Sequence, residues 1–503
     1  MSASRKIPRD LSFRTCPLAQ NPLICRSFKN GHRRNRGIKR HAESPVRTGK
    51  SARTGFQDKD PSMNSYDTII IGGGPGGSTA GSTLAQAGKK VLILERERFP
   101  RFHIGESLIP YANEELRAIG VWDKLEKAGF MPKLGAEFVL GNSEASIRVL
   151  FARYLSPDYA NTFQVERARF DKILLDHAES SGCEVWQQTR VQSVLVDADG
   201  ASVFCSRGGQ TYEAHARWLL DASGRDALLG KQLKLPKTDL GLPKKFATFA
   251  HFHGVRRNEP PAHGHITVVR LEFGWCWIIP LDAEKTSVGL VQTLEHFQSS
   301  GLEPGECFER LVASTHELRR RMGDAVRITE YRFAGDYTYR YLQNAGPRWL
   351  LIGDAAGFID PIFSSGVMLA VKSGRLAARE VLTADENQTS LSVRAQRRYT
   401  RRVGRMCQVF LKMIKMFYDN SGFEVFMTPK PPRDAERGVN NLVAGNTNLG
   451  WRLRCMVWVF YLLCAVQRYL PVVPRLALTQ RRLDSEGTPK KDARKPQMVA
   501  VDE

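Results

Sequence analysis

Residues 66–95 read YDTIIIGGGPGGSTAGSTLAQAGKKVLILE. The apolar run 66–71 predicts a strand buried on both faces. Gly72, Gly74 and Gly77 then form a GxGxxG loop. The first glycine allows a tight turn, the second lets backbone approach a pyrophosphate, and the third lets helix pack on strand. A small-residue helix follows through Ala87, closed by Gly88. Its N-terminus offers free N–H groups and a positive dipole end to phosphates. Residues 91–94 predict a second buried strand, and Glu95 ends it eighteen positions after Gly77, where an acid can take a ribose hydroxyl pair. Strand, loop, helix, strand and acid together predict a βαβ unit that binds a dinucleotide.

Outward from this unit, residues 111–129 carry helical spacing at Leu116, Ile119, Val121 and Leu125. Residues 136–165 and 246–297 alternate and are rich in aromatics, predicting antiparallel strands. Residues 170–181 predict a helix, 184–205 and 217–221 strands, and 349–352 a strand entering a helix at about 366–382. Residues 385–480 read as mostly helical. The expected fold class is α/β. A Rossmann-like FAD-binding domain (63–382) is interrupted by an antiparallel substrate sheet, at about 136–165 and 235–340. A helical part (383–480) and a polar tail (481–503) follow.

The formal charge of +22 is unevenly spread, with 15 Lys/Arg against 4 Asp/Glu in residues 1–60. That composition, with few apolar residues and no periodicity, predicts a disordered basic extension over 1–62. It has no secretory h-region and resembles an organelle transit peptide or a tail for a charged surface; translation from Met63 is the alternative. The nine cysteines form no CxxC pair, which argues against a zinc site or disulfide framework and predicts a reducing cytoplasm. The longest apolar stretch, 455–466, is too short to span a bilayer and predicts a buried or interfacial helix.

Two later segments separate FAD from NAD. Asp221-Ala222-Ser223-Gly224-Arg225 and Gly353-Asp354-Ala355-Ala356-Gly357 each follow a predicted strand. With the glycine loop, they resemble the glutathione-reductase-like FAD superfamily. That resemblance places Asp354 at the flavin ribityl chain, with Gly357 nearby. Arg167, in Gln164-Val165-Glu166-Arg167, is expected beside the cofactor, its alternative being an exposed salt bridge. No second GxGxxG marks a nicotinamide site.

Trp275-Cys276-Trp277-Ile278-Ile279-Pro280 fits WxWxIP, and Phe358 to Gly366 fits FxxPxxSxG. With Gly105-Glu106-Ser107-Leu108 and Lys133, these resemble the flavin-dependent halogenases, nearest the branch acting on phenols and pyrroles. The resemblance runs from about Tyr66 to at least Leu382. It implies reduced FAD (FADH2), O2 as co-substrate and a halide such as chloride. It also implies a separate flavin reductase and a small aromatic substrate, free or on an acyl carrier protein.

The same resemblance gives the residues their roles. It puts halide near Ser365 and Gly366, in the turn begun by Ser364. A helix N-terminus there suits an anion, although Ser364 as a plain N-cap is the alternative. It makes Lys133 the amine that holds hypohalous acid, although a lysine after a proline is by itself usually a surface residue. Trp275 and Trp277 point the same way on a strand. They would wall substrate off from flavin, or simply pack a core. Gly105, Glu106 and Ser107 are expected at the cofactor. Tryptophan halogenases carry Glu before the motif serine, whereas this chain has Phe363, which argues against indoles. The rivals are an FAD-dependent monooxygenase or geranylgeranyl-reductase-like enzyme, and a flavoprotein that works through its basic arm. Peripheral membrane contact would suit the basic surface; nucleic acid is not expected.

Overall fold

The computed structural model describes residues 65–476, apart from 144, 336–337 and 429–432. The expected extension at 1–62 and tail at 481–503 lie outside the described residues.

Strand Gln210–Asp221 organises the nucleotide-binding sheet because its two ends have different neighbours. One edge pairs in parallel with Ser65–Ile71, which continues to Val91–Leu94 and Glu184–Trp186. The other edge pairs antiparallel with Ala201–Arg207 along its first half and parallel with Trp349–Leu351 at its end. The apolar runs are buried on both faces, as continuous hydrophobic strands require. Helix Pro75–Gln86 packs on helix Gly366–Glu386, where a Cβ on Gly374 would lie 2.4 Å from the Gly76 carbonyl oxygen. Ala87 closes the first helix, and Gly88 follows at φ +77.

The second sheet runs Val326–Arg327, Lys245–His253, Thr286–Thr293, Gly274–Pro280, Ile266–Arg270, Gly135–Leu140, Ser146–Leu150. It is not wholly antiparallel as expected: Ile266–Arg270 and Gly135–Leu140 pair in parallel. These two strands come from chain pieces more than a hundred residues apart. No hairpin joins them, so nothing local dictates an antiparallel pair. Along Gly274–Pro280, Trp275, Trp277 and Ile279 join the main core. Cys276 and Ile278 face a separate cluster with Phe308 and Leu318.

The single helix expected over 111–129 is two, Asn113–Ala118 and Trp122–Lys127. Gly120, at φ +80, breaks it where the hydrophobic spacing alone gave no warning. The C-terminal part is helical: Val393–Tyr418, Asn420–Phe426, Arg433–Val443 and Trp451–Gln467. The last buries Val457, Phe460 and Cys464 but exposes Trp451, Trp458 and Leu462. Among the described residues, no helix is long and apolar enough to cross a membrane.

Candidate functional site

One cleft runs from the glycine loop, past the strand ends of the first sheet, to the tryptophan face of the second. Gly72, Gly74 and Glu95 line it at one end, and Asp354, Ser364 and Gly366 at the other. Gly105, Glu106, Ser107 and Arg167 form one wall, Trp275 and Trp277 another. Gly77, Gly357, Ser365 and Lys133 do not line it.

The glycine loop is shaped from within. Gly72 sits at φ +103, and a Cβ there would lie 2.4 Å from the Ala222 carbonyl oxygen. A Cβ on Gly77 would lie 1.9 Å from the Gly72 carbonyl oxygen. Gly74 differs: its φ of −68 suits any residue, and a Cβ would meet only Arg101 Nη2, at 3.7 Å. So Gly74 leaves room over the cleft, whereas Gly72 and Gly77 satisfy the protein's own packing. Glu95 is buried and accepts N–H bonds from Gly73 at 2.8 Å and Glu97 at 2.9 Å. It ties the loop to the strand end. These features fit a dinucleotide: an open cradle at a helix N-terminus with an acid at the next strand end.

Arg167 is buried, not exposed. Its Nε and Nη2 donate to the two oxygens of Asp171, and its Nη1 donates to the Ile104 carbonyl at 2.9 Å. The pair therefore fixes the backbone before Gly105. Arg101 also donates to Asp171, and with its Nη2 by Gly74 it is a cationic group beside the phosphate cradle that no motif announced. Glu106 bonds His251 Nε2 through Oε1 at 2.8 Å, while its buried Oε2 has no partner among the described residues. Burial pushes the Asp354 carboxyl up to about 6. A Cβ on Gly357 would lie 2.9 Å from the Tyr339 carbonyl oxygen, so this glycine serves close strand pairing.

The turn before helix Gly366–Glu386 is held from below. Phe363 is buried against Phe138 and Phe417. Asp360 Oδ1 accepts from Ile362 N–H at 3.1 Å. Ser364 is left-handed, φ +56, and Ser365 is right-handed. The Ser364 N–H donates to the Pro361 carbonyl at 2.8 Å and closes the turn, and the helix start beyond it offers N–H groups without carbonyl partners. Ser365, not Ser364, stands at the N-cap; its buried hydroxyl caps nothing and has no partner among the described residues. A Cβ on Gly366 would meet nothing within 4 Å. The tryptophan wall is wired to this turn: Trp275 Nε1 donates to Tyr418 Oη at 2.9 Å, and Tyr418 donates to Asp360 Oδ2 at 2.6 Å. Trp277 Nε1 donates to Ser287 Oγ at 3.1 Å, with the two indole centroids 5.8 Å apart.

Lys133 is not a surface residue: it is 1% exposed. Strand Met131–Lys133 pairs with Thr162–Gln164, and Ser107 bridges to Gln164, which brings Ser107 beside the lysine. Lys133 Nζ donates to Ser107 Oγ at 2.8 Å and to the Leu108 carbonyl at 2.7 Å. Burial lowers its ammonium to about 7. The amine thus stands one residue behind the cleft wall, reached through Ser107.

Residues 65–386 match the family model described as FAD binding domain. The chain is 35% identical over 349 residues to a 1H-pyrrole-2-carbonyl-[peptidyl-carrier protein] chlorinase of Pseudomonas fluorescens, covering 65% of this chain and 78% of that protein. It is 34% identical over 326 residues to the corresponding brominase of Pseudoalteromonas luteoviolacea, covering 64% and 78%. The structure of the flavin-dependent brominase Bmp2 matches at a TM-score of 0.71 and 28% identity, covering 80% of this chain and 99% of that one. With the cleft, the two motifs and these relatives in agreement, the chain belongs to the FAD-binding flavin-dependent halogenases.

Proposed function

We propose that this halogenase oxidises a halide held at the Ser364–Ser365–Gly366 turn and passes the halogen through Lys133 to an electron-rich aromatic of pyrrole or phenol type. Reduced FAD and oxygen supply the two-electron oxidising equivalent that turns halide into hypohalous acid. The protein does the rest. Arg101 and the glycine loop hold the cofactor phosphates. The N–H groups at the helix start and the helix dipole strip and hold the halide, which is a weak nucleophile when hydrated. Trp275 and Trp277, fixed by their N–H bonds, wall the aromatic away from the flavin and so oppose direct hydroxylation.

The geometry at Lys133 carries this reading. Both of its hydrogen bonds are donated, to Ser107 and Leu108. A neutral amine has two N–H bonds, so both are used and its lone pair remains free. Burial favours that neutral form. Attack of the lone pair on the halogen of hypohalous acid forms an N–halogen bond and breaks the O–halogen bond. The hydroxide released takes the amine proton as water. Transfer to the ring restores the amine when the ring proton returns to nitrogen. Phe363 stands where tryptophan halogenases carry Glu, which favours pyrrole or phenol over indole. Relatives that act on carrier-bound pyrrole support a carrier-tethered substrate, and the chain's net charge of +22 suits an acidic carrier. A separate reductase would supply the reduced flavin.

The sign of the pH dependence follows. Below about 7 the amine is protonated and has no lone pair; above it the amine is competent. Halogenated product per reduced flavin consumed should therefore rise with pH through about 7, while flavin oxidation itself does not follow that midpoint. Both quantities can be followed together by product chromatography and oxygen uptake. A product-to-flavin ratio that falls, or stays flat, across this range removes the neutral amine from the mechanism.

A further inference from the structure

A second pocket lies where strand Tyr339–Tyr341 meets helix Val393–Tyr418, outside the flavin cleft. The helix carries eight Lys/Arg and no Asp/Glu. Arg398 and Arg402 pair with Glu380 from the preceding helix. Arg397, Arg401 and Arg405 stand at i, i+4 and i+8 on one face, where like charges repel. Arg401 and Arg405 are exposed at the rim of the pocket, and Arg340 reaches it from the strand. Among the described residues, no carboxylate pairs with Arg340, Arg401 or Arg405.

The floor is built of buried polar groups that lack partners. Asn344 is 1% exposed, and among the described residues neither its side-chain oxygen nor its nitrogen has one. Arg340 Nε is also buried and has no partner among the described residues. Buried polar atoms are nearly always satisfied, so such a cluster facing one pocket calls for a ligand with many acceptors. Three guanidinium groups and an amide N–H supply donors in excess. A phosphate ester, with several acceptor oxygens and double charge, matches them better than a carboxylate with two oxygens. Asn344 Oδ1 can accept from a hydroxyl beside the phosphate.

We infer that this pocket binds an organic phosphate monoester, either a free nucleotide or free 4′-phosphopantetheine. The two sources share the phosphate chemistry and differ in what flanks it. Calorimetric titration of the FAD-loaded full chain tests this, with the flavin site already filled. The probes are inorganic phosphate, AMP, 4′-phosphopantetheine and pantetheine. Phosphate-bearing probes should bind, pantetheine should not, and added salt should weaken binding. The double variant Arg401→Gln, Arg405→Gln changes only exposed side chains and should bind at least about tenfold more weakly, at unchanged flavin content. Tighter binding of 4′-phosphopantetheine than AMP assigns 4′-phosphopantetheine; the reverse assigns a nucleotide. The inference is overturned if no phosphate probe binds at about 10 mM, or if the double variant binds as well as the parent.

Discussion

Replacing Lys133 by Met should lower halogenated product by roughly 10²–10⁴-fold, the range typical for loss of one positioned proton-transfer or nucleophilic group. Oxidation of reduced flavin should stay within about twofold, because the glycine loop and the turn residues Ser364 and Gly366 line the cleft while the lysine stands behind Ser107. Met keeps similar length and volume, so packing suffers little. Two acceptors, Ser107 Oγ and the Leu108 carbonyl, lose their donor, at a cost of about 1–3 kcal/mol. Removing an amine that burial already destabilises offsets part of that. The variant should consume reduced flavin and oxygen and release peroxide or hypohalous acid. If it halogenates at the parent rate and selectivity, the buried amine is structural. If flavin oxidation collapses too, the lysine belongs to the cofactor site.

Gly74→Val should empty the flavin site while leaving the fold intact. The expectation rests on space rather than on backbone angle, since φ −68 is open to valine. Within 4 Å its Cβ meets only Arg101 Nη2, at 3.7 Å, so the protein itself does not object; the branched side chain instead fills the room above the loop. FAD affinity should fall by at least about tenfold, more than ~1.4 kcal/mol, with an unchanged circular dichroism spectrum. Gly77→Ala makes the contrast: its Cβ would sit 1.9 Å from a carbonyl oxygen, so that variant should lose fold and flavin together. Full flavin retention by Gly74→Val would place the pyrophosphate elsewhere.

The parts of the fold legible in the sequence are those fixed by local pattern. The strand at 66–71 and the strand at 91–94 were readable because both faces are buried and the apolar runs are continuous. The helix starting at Gly366 was readable because a turn motif precedes it. The break at Gly120 was missed because hydrophobic spacing carries across a single left-handed residue. The parallel pairing of Gly135–Leu140 with Ile266–Arg270 joins distant pieces and leaves no local trace.

The site divides in the same way. Its glycines and tryptophans sit in motifs. The Trp275–Tyr418–Asp360 chain does not, because Tyr418 lies 143 positions from Trp275 and nothing around it marks a partner. The burial of Lys133 comes from Ser107 and Phe151, neither adjacent in sequence. Only resemblance had singled the lysine out. Arg101, near Gly74 and bonded to Asp171, belongs to no motif at all.

The central claim is that this chain transfers halogen, and one assay tests it most directly. The purified protein is supplied with reduced FAD, oxygen and bromide, then offered a panel of phenols and a carrier-bound pyrrole, and the products are read by mass spectrometry. Products in which one ring hydrogen is replaced by bromine should form, absent when bromide is omitted and absent in Lys133→Met. Hydroxylated products that form equally well without halide would contradict that claim and make the chain a monooxygenase.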